Sequence, residues 1–188
     1  STSTLATTFT LRNDASNNTI RNCFVEGAGI STTAAGTILI GAGTTTGNTN
    51  NTISNNDIRD LSSTGTRHAV GVLSAGLVAA PNGTNTISNN NIFNFTSSGV
   101  NITATGNAGN WTISGNSFYY NNATAASTAQ TPINCSPGAA AMGNLIYGNY
   151  IGGQSPQAGG AAWTTTGAAL FIGIQASVGT TSPSTTIR

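Results

Sequence analysis

Ten side chains in this sequence can do acid, base or ionic chemistry: Arg12, Asp14, Arg21, Glu26, Asp57, Arg59, Asp60, Arg67, His68 and Arg188; there is no lysine. All but Arg188 fall in the first 68 residues. Cleaving a glycosidic bond takes two carboxyl groups flanking it, and Asp57 and Asp60 are the acidic residues that lie closest together. A general base needs a group that titrates near neutral pH and a partner to orient it; His68 is that group, with Asp60 as the nearby carboxylate. Asp57, Asp60 and His68 are therefore the candidates for a catalytic set. Each also has a plainer reading as a structural or solvated group, and that reading is the one expected. Two carboxylates are too few ligands for calcium. Cys23 and Cys135 do not form a CxxC or Cys/His metal pattern, and phosphate loops, nucleophile elbows and HExxH are missing from the sequence. The expectation is no cofactor and no metal.

The elements that must position these groups are written in a repeated phrase. Its clearest copies are Asn51-Thr52-Ile53-Ser54-Asn55-Asn56-Asp57-Ile58 and Asn85-Thr86-Ile87-Ser88-Asn89-Asn90-Asn91-Ile92. Related copies are anchored at Ile20, Ile113 and Ile146, and a sixth begins at Thr185-Thr186-Ile187-Arg188. The period of 26 to 41 residues between anchors is that of a stacked-repeat architecture. Apolar residues at the anchor and five positions later do not make a helical face. They fit two short strands meeting at a corner, where Asn and Gly accept left-handed backbone angles.

Stacking the copies in register puts Ile20, Ile53, Ile87, Ile113 and Ile146 in one row and Val25, Ile58, Ile92, Phe118 and Ile151 in a second. A third row, Cys23, Asn56, Asn90, Asn116 and Asn149, is expected to form a side-chain ladder of the kind seen in other stacked sheets. Glu26 and Arg59 become neighbours on adjacent coils, an exposed ion pair contributing at most about 1 kcal/mol. Phe93 and Tyr119 follow in the same row, with Tyr147 and Tyr150 nearby. Such rings either pack or offer a platform for sugar rings, and packing is the favoured reading. A weaker phrase precedes each copy, at Phe9–Leu11, Ile38–Ile40, Val70–Val72, Val100–Ile102, Ile133 and Phe171–Ile174, and predicts a further wall of the same tube. Between the walls run loops of variable length, such as 41–49 and 154–167, which a solenoid tolerates because they leave at its surface. The threonine runs 44–46 and 164–166 lie in such loops and do not make a regular array.

These phrases resemble the parallel β-helix repeats of secreted bacterial surface proteins and of polysaccharide lyases and hydrolases, the pectate-lyase-like solenoids. The resemblance spans nearly all of the chain and implies an all-β fold: a right-handed parallel β-helix of about five to six coils with an Asn ladder and variable loops. It implies little about activity, because the phrase consists of packing and corner residues. The paired-aspartate and Arg-x-Lys signatures of the polygalacturonase-type members are missing from this sequence.

Composition narrows the partners. Charged residues make up 5% of the 188 residues and the net charge is +1, so there is no basic stripe for nucleic acid or for an anionic membrane. No apolar run approaches the roughly 20 residues that span a bilayer. Residues 1–188 read as one domain, expected to be part of a longer protein or of a head-to-tail assembly whose open ends meet other copies. The cysteines fall on coils too far apart for a disulfide. The expected function is a non-catalytic structural or adhesive module of a bacterial extracellular surface protein or fibre. The alternative is a carbohydrate-binding or polysaccharide-degrading β-helix protein using Asp57, Asp60 or His68. Thr, Asn and Ser in place of ionic side chains, taken with the resemblance, predict an extracellular or cell-surface location.

Overall fold

The computed structural model describes residues 5–61, 66–103, 106–122, 125–138, 142–177 and 182–188. They build a parallel β-helix of about six coils from three parallel sheets. The first sheet stacks β1 (Phe9–Leu11), β4 (Ile38–Ile40), β7 (Val70–Ser74), β10 (Ser98–Ile102), β13 (Ile133–Cys135) and β16 (Ile174–Ala176). The second stacks β2 (Thr19–Arg21), β5 (Thr52–Ser54), β8 (Thr86–Ser88), β11 (Thr112–Ser114), β14 (Leu145–Tyr147) and β17 (Thr186–Ile187). The third has five strands: β3 (Phe24–Gly27), β6 (Asp57–Asp60), β9 (Asn91–Phe93), β12 (Ser117–Tyr119) and β15 (Tyr150–Ile151).

The register follows the repeat. Ile20 pairs with Ile53, Ile53 with Ile87, Ile87 with Ile113, Ile113 with Ile146 and Ile146 with Ile187. In the third sheet Val25, Ile58, Ile92, Phe118 and Ile151 pair in the same stepwise way. Because alternate side chains of a strand point to opposite faces, these rows enter the tube and merge with Ile38, Ile40, Val72, Val100 and Ile133 into one buried core. Full burial of each such side chain contributes about 1.5–3 kcal/mol. The first sheet departs from the simple alignment at one place: Ile38 pairs with Val72, and Ile40 with Ser74. The strand β7 is therefore shifted by two residues from the alignment of Val70 with Ile38. A shift of two keeps every side chain on its own face. It also puts Ser74 in the inner row, where its hydroxyl donates to Asn107 Oδ1 at 2.5 Å.

Between the second and third sheets the corner is a single left-handed residue, occupied by Asn22, Asn55, Asn89, Gly115 and Gly148 on successive coils, with φ between 55° and 64°. Asn and Gly are the residues that tolerate this region. The next residue is the predicted ladder. Asn56 Nδ2 donates to Asn90 Oδ1, Asn90 Nδ2 to Asn116 Oδ1 and Asn116 Nδ2 to Asn149 Oδ1, each at 3.0 Å. Each amide also reaches back one coil, from Asn56 to Ile20 O, Asn90 to Ile53 O, Asn116 to Ile87 O and Asn149 to Ile113 O, at 2.8–3.0 Å.

The opposite corner repeats this construction. Left-handed Asn17, Asn50, Thr84, Asn110 and Gly143 precede Asn18, Asn51, Asn85, Trp111 and Asn144. Asn18 Nδ2 donates to Asn51 Oδ1 at 3.0 Å and Asn51 Nδ2 to Asn85 Oδ1 at 3.1 Å. Trp111 then interrupts the row with an indole that is fully buried. A shorter stack, Asn48 to Asn82 at 3.0 Å, lies at the corner nearest the first sheet. Among the described residues every buried side-chain nitrogen and oxygen has a hydrogen-bond partner.

Candidate functional site

The ionisable groups are distributed by this frame as follows. Glu26 and Arg59 pair in register on the outer side of the third sheet, with Arg59 Nη2 2.8 Å from Glu26 Oε1. Arg59 also lies over the Phe24 ring, 5.6 Å from its centroid, and that ring is 76% exposed. Asp57 stands in the next outer row and accepts Asn91 Nδ2 at 2.7 Å. Along β6 the burial alternates, with Ile58 and Asp60 buried and Asp57 and Arg59 half-buried. Asp57 and Asp60 are therefore on opposite faces of one strand, an odd number of residues apart. A pair of glycosidase carboxyls must face one bond, and this strand does not bring them together.

Asp60 is 6% exposed and accepts Asn94 Nδ2 at 3.0 Å and Asn122 Nδ2 at 3.4 Å. Its neighbour in space is His68, whose charge it would favour. His68 is fully buried just ahead of β7, and both ring nitrogens are engaged. Nε2 lies 3.0 Å from the Phe93 carbonyl, which can only accept, so Nε2 carries the proton and Nδ1 accepts the Thr37 hydroxyl. Burial pushes the imidazole down to about 4, against the smaller opposing effects of the Phe93 carbonyl and Asp60. His68 is neutral across the physiological range and clamps successive coils together.

Asp14 receives the backbone N–H groups of Thr44, Thr45, Thr46 and Gly47 and the Thr44 hydroxyl. The Thr44 hydroxyl first, and then these N–H groups, hold its carboxyl well below the usual carboxylate range. The threonine run 44–46 is thus a backbone cradle for an internal carboxylate. Arg67 lies over Tyr120 and Arg188 over Tyr147. Among the described residues no three of His, Cys, Asp and Glu are grouped to hold a metal, and no helix is long and apolar enough to cross a membrane.

Phe93 and Tyr119 do lie in register on adjacent coils. Their rings stack at 4.5 Å with 11° between planes, yet they are only 7% and 5% exposed. The 3-10 turn Pro156–Ala158 folds back over β12, with Gln157 N donating to Ser117 Oγ at 3.0 Å. The pair is packing, as expected. Burial, aided by the Asp57 charge, raises the Tyr119 phenol to about 12. Tyr147 and Tyr150 are the exposed rings of this region.

The two cysteines are free, and burial pushes the Cys135 thiol up to about 12. A regular hydroxyl row does occur, though not in the threonine runs. Thr52, Thr86 and Thr112 pair in sequence on the second sheet, between Thr19 at one end and Thr186 at the other, with Leu145 interposed. The signal for it is the Thr before every anchor Ile except Ile146.

The chain matches no protein-family model, no curated protein and no solved structure.

Proposed function

We propose that this β-helix is a non-catalytic structural or adhesive module of a bacterial extracellular surface protein or fibre, akin to the pectate-lyase-like solenoids that its repeat resembles. One observation supports the reading: the inward polar side chains are used to join coils, in two Asn rows and a His68 clamp. Such ladders tie each coil to its neighbours and stiffen the stack along its axis, while the loops carry the variable surface. In this reading Asp57, Asp60 and His68 have no catalytic part, and the outer rows, including exposed Phe24 and Tyr150, make contacts.

The test is electron microscopy of the native material together with a polysaccharide panel. Continuous rods or fibres containing this chain, and no release of reducing ends from any glycan, are expected. Discrete isolated particles would sink the fibre version. Glycan cleavage lost in both Asp57→Asn and Asp60→Asn would establish the enzyme reading instead.

A further inference from the structure

On three successive interior coils the second sheet carries two columns of hydroxyls. Thr52, Thr86 and Thr112 pair in register, and two residues further along Ser54, Ser88 and Ser114 do the same. The residues between them, Ile53, Ile87 and Ile113, enter the core, so both columns stand on the outer face. Elsewhere the protein uses its hydroxyls: those of Ser16, Thr37, Thr44, Ser74 and Thr103 each hydrogen-bond to another residue. Among the described residues, none of the six side chains in the two columns makes a hydrogen bond within the protein. Ser54 and Ser114 sharpen the contrast, being only 9% and 8% exposed. Every fully enclosed side-chain oxygen among the described residues has a partner, so these two unpartnered Oγ atoms are not enclosed. They open onto the face.

The six groups are held on a fixed grid. An Asn ladder flanks the strands at each corner, Asn51 to Asn85 on one side and Asn56 to Asn90 to Asn116 on the other. The steps are about 4.8 Å from coil to coil and about 6.6 Å between the columns, two residues along a strand. No charge stands in either column over these coils. Arg21 takes the serine position on the coil before, and Leu145 and Tyr147 take both positions on the coil after.

A hydroxyl has one donor and two acceptor sites, so it can replace a water molecule in a tetrahedral network. An ionic ligand would call for charge, and a single sugar for a stacking ring and unlike polar groups. Identical neutral hydroxyls at a constant step suit a partner that itself repeats, and water oxygens on the faces of hexagonal ice repeat at steps of this size. We propose that the outer face of β5, β8 and β11 binds ice. The six hydroxyls take lattice positions at the crystal surface, and the Thr methyls beside them shed liquid water on contact. Because the ladders fix the grid beforehand, little freedom is lost on adsorption. This role goes beyond the surface-module reading and does not depend on it.

The test is nanolitre osmometry of the whole chain with ice as the probe. A gap between melting and freezing temperatures that widens with protein concentration is expected, together with faceted crystals. Thr86→Tyr sets a ring at the centre of the grid and should abolish the gap; Tyr suits the outer face of a strand, and an unchanged thermal melt shows that the fold is kept. Thr52→Tyr, made separately, should give the same loss. Thr10→Tyr, on the exposed side of β1, should leave the gap as it is. Absence of both the gap and any inhibition of ice recrystallisation at millimolar protein overturns the proposal. So does equal activity in folded Thr86→Tyr, which would put the ice contact on another face. Retention on crystalline cellulose that Thr86→Tyr abolishes, with no effect on ice, also overturns it, since the occupant would then be a polysaccharide.

Discussion

His68, which looks like a general base in the sequence, is fully buried in the fold with both ring nitrogens engaged. Its partners, Thr37 and Phe93, lie 31 and 25 residues away in sequence and come together only because coils stack. Its burial has a thermodynamic consequence. The folded imidazole titrates at about 4, while in the unfolded chain it titrates near 6.5. Between these values the unfolded state binds a proton that the folded state refuses, so stability rises with pH through this window and is lost as pH falls. The loss by pH 4.5 is about 2–3 kcal/mol. Chemical denaturation at pH 7 and pH 4.5 should show this drop in the native protein. In His68→Gln, whose amide can still donate to Phe93, the drop should shrink by most of that amount. An unchanged pH dependence in the variant would place the acid sensitivity elsewhere.

At the scale of strands and corners the sequence is most readable where one residue type repeats with one job. The anchor Ile row, the row five positions later and the Asn56-Asn90-Asn116-Asn149 ladder are all visible in it, because each recurs at a fixed offset within the phrase and a one-residue slip would expose every Ile. The second ladder is harder to see: its left-handed position holds Asn, Thr or Gly, and Trp111 replaces an Asn within it. The two-residue shift of β7 leaves no trace in the sequence because alternation is unchanged by an even shift. The candidate site is the least readable part. Closeness in sequence suggests that Asp57 and Asp60 meet, but a strand turns residues three apart to opposite faces. The corner rule can be checked at Asn55, which has φ 55°. Replacing it with Val puts a β-branched side chain in a region costing about 1–2 kcal/mol, and the fold should lose about that much or more in a urea melt. Asn55→Gly should stay within about 0.5 kcal/mol of the parent, because Gly enters this region freely. Equal losses in both variants would mean that the Asn55 side chain, and not its backbone angle, holds the corner.

Over the whole molecule the coils form a stack roughly 24 Å long, taking five steps of about 4.8 Å. Each coil touches chiefly its neighbours, so stability approximates a sum of coil and interface terms, as in other solenoids. In a protein of residues 1–188 alone, interior coils have two interfaces and the first and last a single one. The exposure pattern follows this: Ile87 and Ile113 are fully buried, while Ile187 at one end is 49% exposed and Ile20 at the other is half-buried. Amide hydrogen exchange should therefore be slowest in β8 and β11 and progressively faster toward β2 and β17, since a coil that buries more apolar surface against its neighbours costs more free energy to open. A flat protection profile along the axis would contradict the nearest-neighbour picture and make the tube a single cooperative unit.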